Sequence, residues 1–295
     1  MVMQLFLHVG AHKTATTHLQ SRLNDARPRL WPRHIACICP QQTREAEIQL
    51  STMAQFPGRW PKKELAWRKR LELIESEGVT RCVISDENLI GEIRRGSLVD
   101  GEGTIYPQAA RRLESLLDIL GRKPDQIFLG LREPASFVTS AFGMWMRAGE
   151  GVLIEDFLGD ADPRRIRWAD LARRLGTLPG QPHLTVWRFE DYPRIRNRVV
   201  AALVGEEAAP VVGTSPRRLV GWSQAAYDAF VQSVLQVDES VPLSTLAQAA
   251  LKAFPRGSDD PALTVLAPEV TARCEAEYEG DVADMVALPG VTLID

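Results

Sequence analysis

A lysine and three threonines follow the first apolar segment of the chain within a few residues. The stretch LFLHVGAHKTATTHLQ passes over Gly10 and reaches Lys13, Thr14, Thr16 and Thr17 before a helical pattern begins. The start of a helix presents unpaired backbone N–H groups and the positive end of the helix dipole, so an anion fits there. Lys13 would add a full charge, and Gly10 would allow close approach of the backbone. This order of residue types favours a loop that binds phosphate or sulfate.

The loop has two other interpretations. An ordinary strand-to-helix turn, with Thr16 or Thr17 as the N-cap, would also account for the hydroxyl groups. A Walker A loop would require the pattern GxxxxGK[ST], whose serine or threonine holds magnesium. Here Lys13 follows Gly10 by three residues, and no glycine directly precedes the lysine. The spacing therefore argues against magnesium–ATP as the ligand.

A second segment, IFLGLREPASFVTSAF, repeats the order of strand, charged residue and helix. Arg132 stands at the end of the strand pattern, Pro134 suits the first turn of a helix, and Ser140 lies about two turns into it. If the strands are parallel, both loops lie at the same edge of the sheet. Arg132 and Ser140 could then hold one phosphate group through a guanidinium fork and a hydroxyl. The alternative is an ordinary salt bridge between Arg132 and Glu133 or another acid.

Together, AHKTATTHLQ and LREPASFVTS resemble the sulfotransferases that use 3′-phosphoadenosine 5′-phosphosulfate (PAPS), in particular bacterial members with a P-loop-like domain. In that family a loop of the type PKSGTTWL holds the phosphosulfate, and an Arg…Ser pair after a central strand holds the 3′-phosphate. The resemblance covers residues 4–23 and 126–142, and it is nearly absent after about residue 205. Ala15 stands where the family usually has glycine. The PAPS-binding residues that the resemblance implies are Gly10, Ala11, His12, Lys13, Thr14, Ala15, Thr16, Thr17, Arg132, Ser140, Arg217 and Arg218.

The resemblance also implies a reaction, the transfer of a sulfuryl group from PAPS to a hydroxyl, or as a second choice an amine, without a metal ion. Lys13 would stabilise the charge that grows on the leaving oxygen. A general base must take the acceptor's proton, and the family uses His or Glu. Glu87, in the segment CVISDENLIG, is the first candidate, with an exposed acid at the start of a loop as its alternative interpretation. His12 is the second candidate, whereas His8 and His18 are expected to be structural.

Two further basic segments are open to more than one interpretation. SPRRLVG carries Arg217 and Arg218, which the resemblance places with a late basic loop that closes over the 3′-phosphate. DPRRIRWADLARRLG is rich in arginine, and it reads either as a solvated helix face or as a surface for an acidic acceptor. The acceptor itself stays open among carbohydrate, lipid-linked sugar, small metabolite and peptide tyrosine. The rival functions are a P-loop kinase that uses ATP and a non-catalytic nucleotide-binding protein on the same fold.

Five short apolar runs predict the strands that must position these residues. They are Gln4 to Val9, His34 to Cys39, Arg81 to Ser85, Gln126 to Leu131 and Leu184 to Phe189. Helical patterns lie between them, and YPQAARRLESLLDILG is the clearest. This alternation predicts an α/β fold of three layers, with a mostly parallel central sheet flanked by helices as in P-loop NTPases. Residues 1–295 are expected to form a single domain, with residues 206–295 as a helical C-terminal part packed on it.

The composition of the chain limits its expected partners, metal sites and location. The 295-residue chain has a formal net charge of −3, which gives no reason to expect nucleic acid or an anionic membrane as a partner. Cys37, Cys39, Cys82 and Cys274 lack the spacing of a zinc site, and buried reduced thiols are expected. No segment reads as a signal peptide or a membrane span. We expect a cytoplasmic protein that could form a homo-oligomer through its C-terminal helices.

Overall fold

A six-stranded sheet forms the middle layer of the structure. The computed structural model describes residues 2–45, 47–215, 221–238, 240–257, 260–261 and 263–295. The strands are β1 Gln4–Gly10, β2 Ile35–Ile38, β3 Arg81–Ser85, β4 Gln126–Leu131, β5 His183–Arg188 and β6 Val291–Leu293. Their order across the sheet is β2-β3-β1-β4-β5-β6, and each neighbouring pair is parallel. The expected α/β fold with a parallel central sheet between helical layers is confirmed.

Twelve α-helices of the described residues connect and cover these strands. They are α1 Thr16–Leu30, α2 Pro40–Thr43, α3 Leu50–Gln55, α4 Pro61–Ser76, α5 Ala109–Leu120, α6 Pro134–Ala148, α7 Ile154–Leu158, α8 Trp168–Gly176, α9 Tyr192–Val204, α10 Gln224–Gln236, α11 Leu243–Ala253 and α12 Pro268–Val286. None of these helices has the length and apolar character needed to cross a membrane.

Strand β1 shows why the predicted strands are continuous apolar runs. Leu5 and Leu7 point into the core that contains residues of α5, α6 and α8, whereas Phe6 points into a second core with α1 and α9. Successive side chains of a strand enter opposite faces, so a central strand covered on both sides needs apolar residues at nearly every position. Each fully buried leucine contributes about 1.5–3 kcal/mol.

The ends of β1 and β4 create a crevice at one edge of the sheet. The two strands are neighbours, yet α1 leaves β1 towards one face of the sheet and α6 leaves β4 towards the other. Ligands of open α/β sheets bind in such a crevice, beyond the carboxyl ends of the strands. The lysine loop after β1 and the arginine after β4 both lie there.

The C-terminal part contains a feature that the sequence patterns missed. Helices α10, α11 and α12 pack against the core with α6 and α8, but the chain then ends in strand β6, which extends the sheet beside β5. This strand is only three residues long and partly exposed, so it carries no apolar run to predict it. The five predicted strands are present, and their ends differ from the prediction by at most one residue. All four cysteines are buried free thiols.

Candidate functional site

The loop between β1 and α1 is fixed by contacts with β4 and with itself. The backbone N–H of Ala11 donates to the carbonyl of Gly130 at 2.9 Å, and the hydroxyl of Thr14 donates to the carbonyl of Ala11 at 2.7 Å. A Cβ at Gly130 would lie 2.7 Å from the Thr14 hydroxyl oxygen. A Cβ at Gly10 would lie 2.8 Å from the Cβ of Glu87, and Gly10 has a φ of +96°. The loop therefore closes only because both strands carry glycine at these positions.

Ala15 is the N-cap of α1, and this position decides between two interpretations of the loop. Its φ of 64° and ψ of 22° are left-handed, and its methyl side chain accepts no hydrogen bond from the first turn. The N-cap role considered for Thr16 or Thr17 is thus not realised. Thr16 instead opens the helix as a buried residue, whereas Thr17 is exposed. The start of α1 keeps backbone donors that no capping side chain occupies, as an anion site requires.

Lys13 also has a left-handed backbone, with a φ of 63°, and its side chain lines a cavity beside the loop. Burial lowers the pKa of Lys13 to about 8, with further lowering by the charges of Arg132 and Arg147 and an opposing effect of Glu87. Without a bound anion, the protonated form of Lys13 is destabilised, because its charge is desolvated and lies close to other cations.

Arg132 occupies the crevice between β1 and β4. Its Nε donates to the Ser136 hydroxyl at 3.0 Å, its Nη1 donates to the Lys13 carbonyl at 2.9 Å, and its guanidinium lies 4.4 Å from the ring centre of Phe189. Burial lowers the pKa of Arg132 to about 10, against the charges of Glu190 and Glu133. These contacts fix the plane of the guanidinium, as recognition of a phosphate group requires.

Glu133 is not the salt-bridge partner of Arg132 that the alternative interpretation suggested. Its carboxylate accepts hydrogen bonds from the backbone N–H groups of Ala135 and Ser136, both at 2.7 Å, and so caps the start of α6. Arg132 and Glu133 both belong to the described residues, and no ion pair joins them. Among the described residues no other acid forms an ion pair with Arg132 either, and its Nη2 has no hydrogen-bond partner there, so this nitrogen is available to a ligand.

A cavity of about 320 Å³ brings the two predicted segments together. It is bounded by the loop after β1, the loop after β4, one face of α6, the segment before α12 and α12 itself. The described residues that line it are Lys13, Arg132, Glu133, Ser136, Thr139, Ser140, Gly143, Met144, Arg147, Gly221, Trp222, Arg256, Leu263, Thr264, Val265, Leu266, Thr271 and Glu275. Basic side chains outnumber acidic ones in this lining, and Trp222 with its aliphatic neighbours supplies an apolar wall. Such a mixture suits an anionic ligand with an apolar or aromatic part.

The predicted site residues divide into three groups. Lys13, Arg132 and Ser140 line the cavity. The other loop residues expected to bind PAPS are not among its lining: Gly10, Ala11, His12, Thr14, Ala15, Thr16 and Thr17 shape or surround the start of α1. Arg217 and Arg218 lie outside the described residues. Arg256, a late basic residue that the sequence patterns did not indicate, lines the cavity, and its charge lowers the pKa of Arg132.

Glu87 lies behind the loop and is held by two neighbours. Gln20 donates to its carboxylate at 2.6 Å, and Arg44 donates at 3.0 Å while also binding Asp86 at 2.5 Å. Burial by itself would raise the pKa of Glu87, but Arg44, His12 and Gln20 overcome it and hold the pKa at about 2. Glu87 is therefore an ionised, internally paired carboxylate, and it is not among the described residues that line the cavity.

His12 is a member of the same buried network. Its Nε2 lies 3.0 Å from the Asn88 side-chain oxygen, and its Nδ1 lies 2.8 Å from the Tyr106 hydroxyl. The Tyr106 hydroxyl also accepts from the backbone N–H of His12 at 3.0 Å. Burial lowers the pKa of His12, although Glu87 and Asn88 oppose this. Both ring nitrogens of His12 make contacts that fix the loop. The supporting role of Tyr106 was not indicated by any sequence pattern.

The remaining histidines near the loop have structural surroundings. His8 is fully buried, lies 2.6 Å from the Ser85 hydroxyl through Nδ1 and stacks on Trp187. Burial lowers the pKa of His8 to about 4, against the charge of Glu87. His18 lies 3.0 Å from the Tyr192 hydroxyl. The position of His8 agrees with the core histidine that the strand pattern predicted.

The arginine-rich segment before and within α8 is largely engaged with neighbouring groups. Arg164 pairs with Asp162, Arg167 with Glu277, and Arg174 with Asp170. Arg174 also donates to the carbonyl of Tyr106, which connects α8 to the residue that supports the loop through His12. Arg165 and Arg173 are exposed.

The described residues contain no candidate metal centre, and comparisons with known proteins give no relative. Among the described residues, no group of three or more His, Cys, Asp or Glu side chains is placed to hold a metal ion. Comparisons with protein-family models, with curated proteins and with solved structures find no match for this chain. What the site can bind has to follow from its own side chains.

Proposed function

We propose that the chain is a sulfotransferase of P-loop-like fold, which moves a sulfuryl group from PAPS to a hydroxyl without a metal ion. One observation carries the proposal. Two segments more than a hundred residues apart in sequence, each expected to bind an anionic group, supply Lys13, Arg132 and Ser140 to the lining of one cavity. A nucleotide with anionic groups at both its 5′ and 3′ positions is a ligand that would use both segments.

The cavity offers a place for each part of this nucleotide. Lys13 and the uncapped start of α1 would hold the phosphosulfate. Arg132 and Ser140, with Arg256 beside them, would hold the 3′-phosphate through charge-assisted hydrogen bonds. The indole of Trp222, whose Nε1 donates to the Gly143 carbonyl at 2.7 Å, would give the base an apolar surface.

In the reaction, the acceptor oxygen forms a bond to sulfur while the bond from sulfur to the 5′-phosphate oxygen breaks. The electron pair of the broken bond stays on the phosphate oxygen, and Lys13 would stabilise the growing charge from close range. A pKa of about 8 leaves Lys13 mostly protonated at neutral pH and also able to give up its proton.

The acceptor's proton needs a base, and two carboxylates compete for this role. Glu87 is a poor proton acceptor for a ligand in the cavity, because its carboxylate has two internal partners, a pKa of about 2 and no place in the described lining. Glu275 is an exposed residue of α12 that lines the cavity, and no described residue pairs with it. We therefore assign the proton transfer to Glu275 and the positioning of Gly10 and the loop to Glu87. The acceptor is taken to be a hydroxyl of a small molecule, a carbohydrate or a lipid-linked sugar.

A ligand comparison in a calorimeter tests the proposal. Adenosine 3′,5′-bisphosphate (PAP) and AMP differ only in the 3′-phosphate, so the wild-type chain should bind PAP more tightly. Loss of a charged hydrogen bond costs about 1.5–3 kcal/mol, so Arg132→Gln should weaken PAP binding by roughly 10- to 100-fold. The same change should weaken AMP binding by a smaller factor, through the lost hydrogen bond to the Lys13 carbonyl.

Two further variants sharpen this comparison. Ser140→Ala should weaken PAP binding by a smaller factor than Arg132→Gln, because a neutral donor is lost. Arg173→Gln removes an exposed arginine of α8 and serves as the matched control, with no change for either ligand. Equal loss of PAP and AMP binding in Arg132→Gln would show that this residue does not recognise the 3′-phosphate.

A further inference from the structure

Arg147 lies in the last turn of α6 and lines the cavity, although neither the loop pattern nor the resemblance indicates it. The side chains of α6 that line the cavity follow helical spacing from Ser136 through Ser140 and Met144 to Arg147. Arg147 follows Ser140 by seven residues, which is about 10 Å along the helix axis. Ser140 and Arg147 are therefore suited to hold different groups of one ligand.

No described residue forms an ion pair with Arg147, although two carboxylates, Glu133 and Glu275, also line the cavity. Among the described residues, no carboxylate and no carbonyl oxygen pairs with its guanidinium, whereas its charge is one of those that lower the pKa of Lys13. A cation in the last turn of a helix is favoured by the helix dipole, by about 0.3–1 kcal/mol. This explains an arginine at the position. It does not explain a guanidinium that faces a cavity already lined by Lys13, Arg132 and Arg256.

Like charges that share a partly desolvated cavity repel one another, and a bound anion removes that repulsion. Arg132 is already fixed by Ser136, the Lys13 carbonyl and Phe189. No described residue fixes Arg147 in this way. Arg147 lines the same cavity as Lys13 and its charge acts on that lysine, so an anion between them would contact both.

We infer that Lys13 and Arg147 form a second anion subsite, distinct from that of Arg132 and Ser140, which holds the terminal tetrahedral anionic group of the ligand. The identity of that group rests on the proposed function, under which it is the sulfuryl group of PAPS. Arg147 then contacts the group that is transferred and is a catalytic residue. Its N–H groups donate to sulfuryl oxygens while the bond from sulfur to the phosphate oxygen breaks and the acceptor oxygen bonds to sulfur. The acceptor's proton goes to the carboxylate of Glu275.

A comparison of PAP and PAPS binding isolates the contribution of this subsite, because only PAPS carries the terminal group. We expect Arg147→Gln to weaken PAPS binding at least tenfold, measured by calorimetry without an acceptor, and PAP binding less than threefold. Arg147→Lys should restore part of the PAPS affinity, because it returns the charge without the planar fork. Arg173→Gln should leave both affinities unchanged. Equal weakening of PAP and PAPS, or no effect on either, would overturn the inference.

Inorganic sulfate tests the subsite without any nucleotide. Reductive methylation with ¹³C keeps the charge of lysine, and the signal missing from a Lys13→Arg chain assigns Lys13 in the NMR spectrum. Sulfate should raise the pKa of Lys13 in the wild-type chain, and Arg147→Gln should weaken this effect at least fivefold. If the wild-type chain binds neither nucleotide, the proposed function fails, but the sulfate titration still decides the subsite. If sulfate acts equally on both chains, the subsite is refuted whatever the nucleotides do.

Discussion

The substitution Ala15→Gly gives a quantitative test of the left-handed backbone conformation in the loop. An L-residue in the left-handed region costs roughly 1–2 kcal/mol, and glycine escapes this cost. Glycine loses more chain entropy on folding, roughly 0.5–1 kcal/mol relative to alanine. The half-buried methyl group of Ala15 contributes a few tenths of a kcal/mol more. Ala15→Gly should therefore change the free energy of unfolding by only about 0 to +1 kcal/mol.

A second alanine-to-glycine change isolates the backbone effect. Ala66 is an exposed residue within α4, and Ala66→Gly should destabilise the chain by about 1 kcal/mol. The chain-entropy term is common to both variants. The difference between them, about 1–2 kcal/mol, therefore measures the cost of the left-handed conformation at Ala15. Urea unfolding followed by circular dichroism would give both values, provided that the m-values stay equal. If Ala15→Gly is as destabilising as Ala66→Gly, the left-handed conformation at Ala15 is wrong.

Two further predictions concern proton transfer. The pKa of Lys13 is lowered to about 8 in the free chain, first by burial and then by Arg132 and Arg147, and a bound anion should raise it. At about pH 9, where the free lysine has lost most of its proton, PAP binding should therefore take up as much as about one proton, seen as a dependence of the calorimetric enthalpy on the buffer. Lys13→Arg should bind PAP without uptake, and uptake by both chains would assign the proton to another group. Glu275→Gln should lower kcat by roughly 10²- to 10⁴-fold and leave PAP binding unchanged. Glu87→Gln should instead lower both the stability of the chain and its affinity for PAP, because Arg44 loses a partner. If Glu87→Gln instead lowers kcat alone, the base is Glu87.

The layers of the fold could be read from the sequence because the central strands are buried on both faces. Continuous apolar runs such as Leu5 to Val9 leave little ambiguity, and Gly10 marks the end of the first run. Strand β6 escaped detection for the opposite reason, since a short and partly exposed edge strand has neither an apolar run nor strict alternation. Its place beside β5 depends on tertiary packing of the chain that precedes it.

The candidate site was predictable where it depends on chain order. Lys13 and Arg132 follow neighbouring parallel strands, so a strand assignment is enough to bring them to one edge of the sheet. Arg256 could not be placed in this way, because it lies in a loop between two helices whose packing no pattern fixes. Arg147 could have been predicted from one sequence feature. It follows Ser140 by seven residues, which places both on the same face of one helix.

The buried network under the loop shows a different limit of sequence reasoning. Glu87 stands at the end of a strand like a candidate base, and only the positions of Gln20 and Arg44 show that its carboxylate is already engaged. Neither partner is near Glu87 in sequence. The pairing, and the low pKa that results from it, follows from the three-dimensional arrangement of three separate segments.

A calorimetric titration with PAP in the presence of EDTA, beside one with ATP with and without magnesium, distinguishes a PAPS-dependent sulfotransferase from a kinase. PAP should bind without a metal ion, because Lys13, Arg132 and Arg256 supply the positive charge around the ligand. Magnesium should not strengthen ATP binding. Absence of PAP binding together with magnesium-dependent ATP binding would refute the proposed function and would favour a kinase on the same fold.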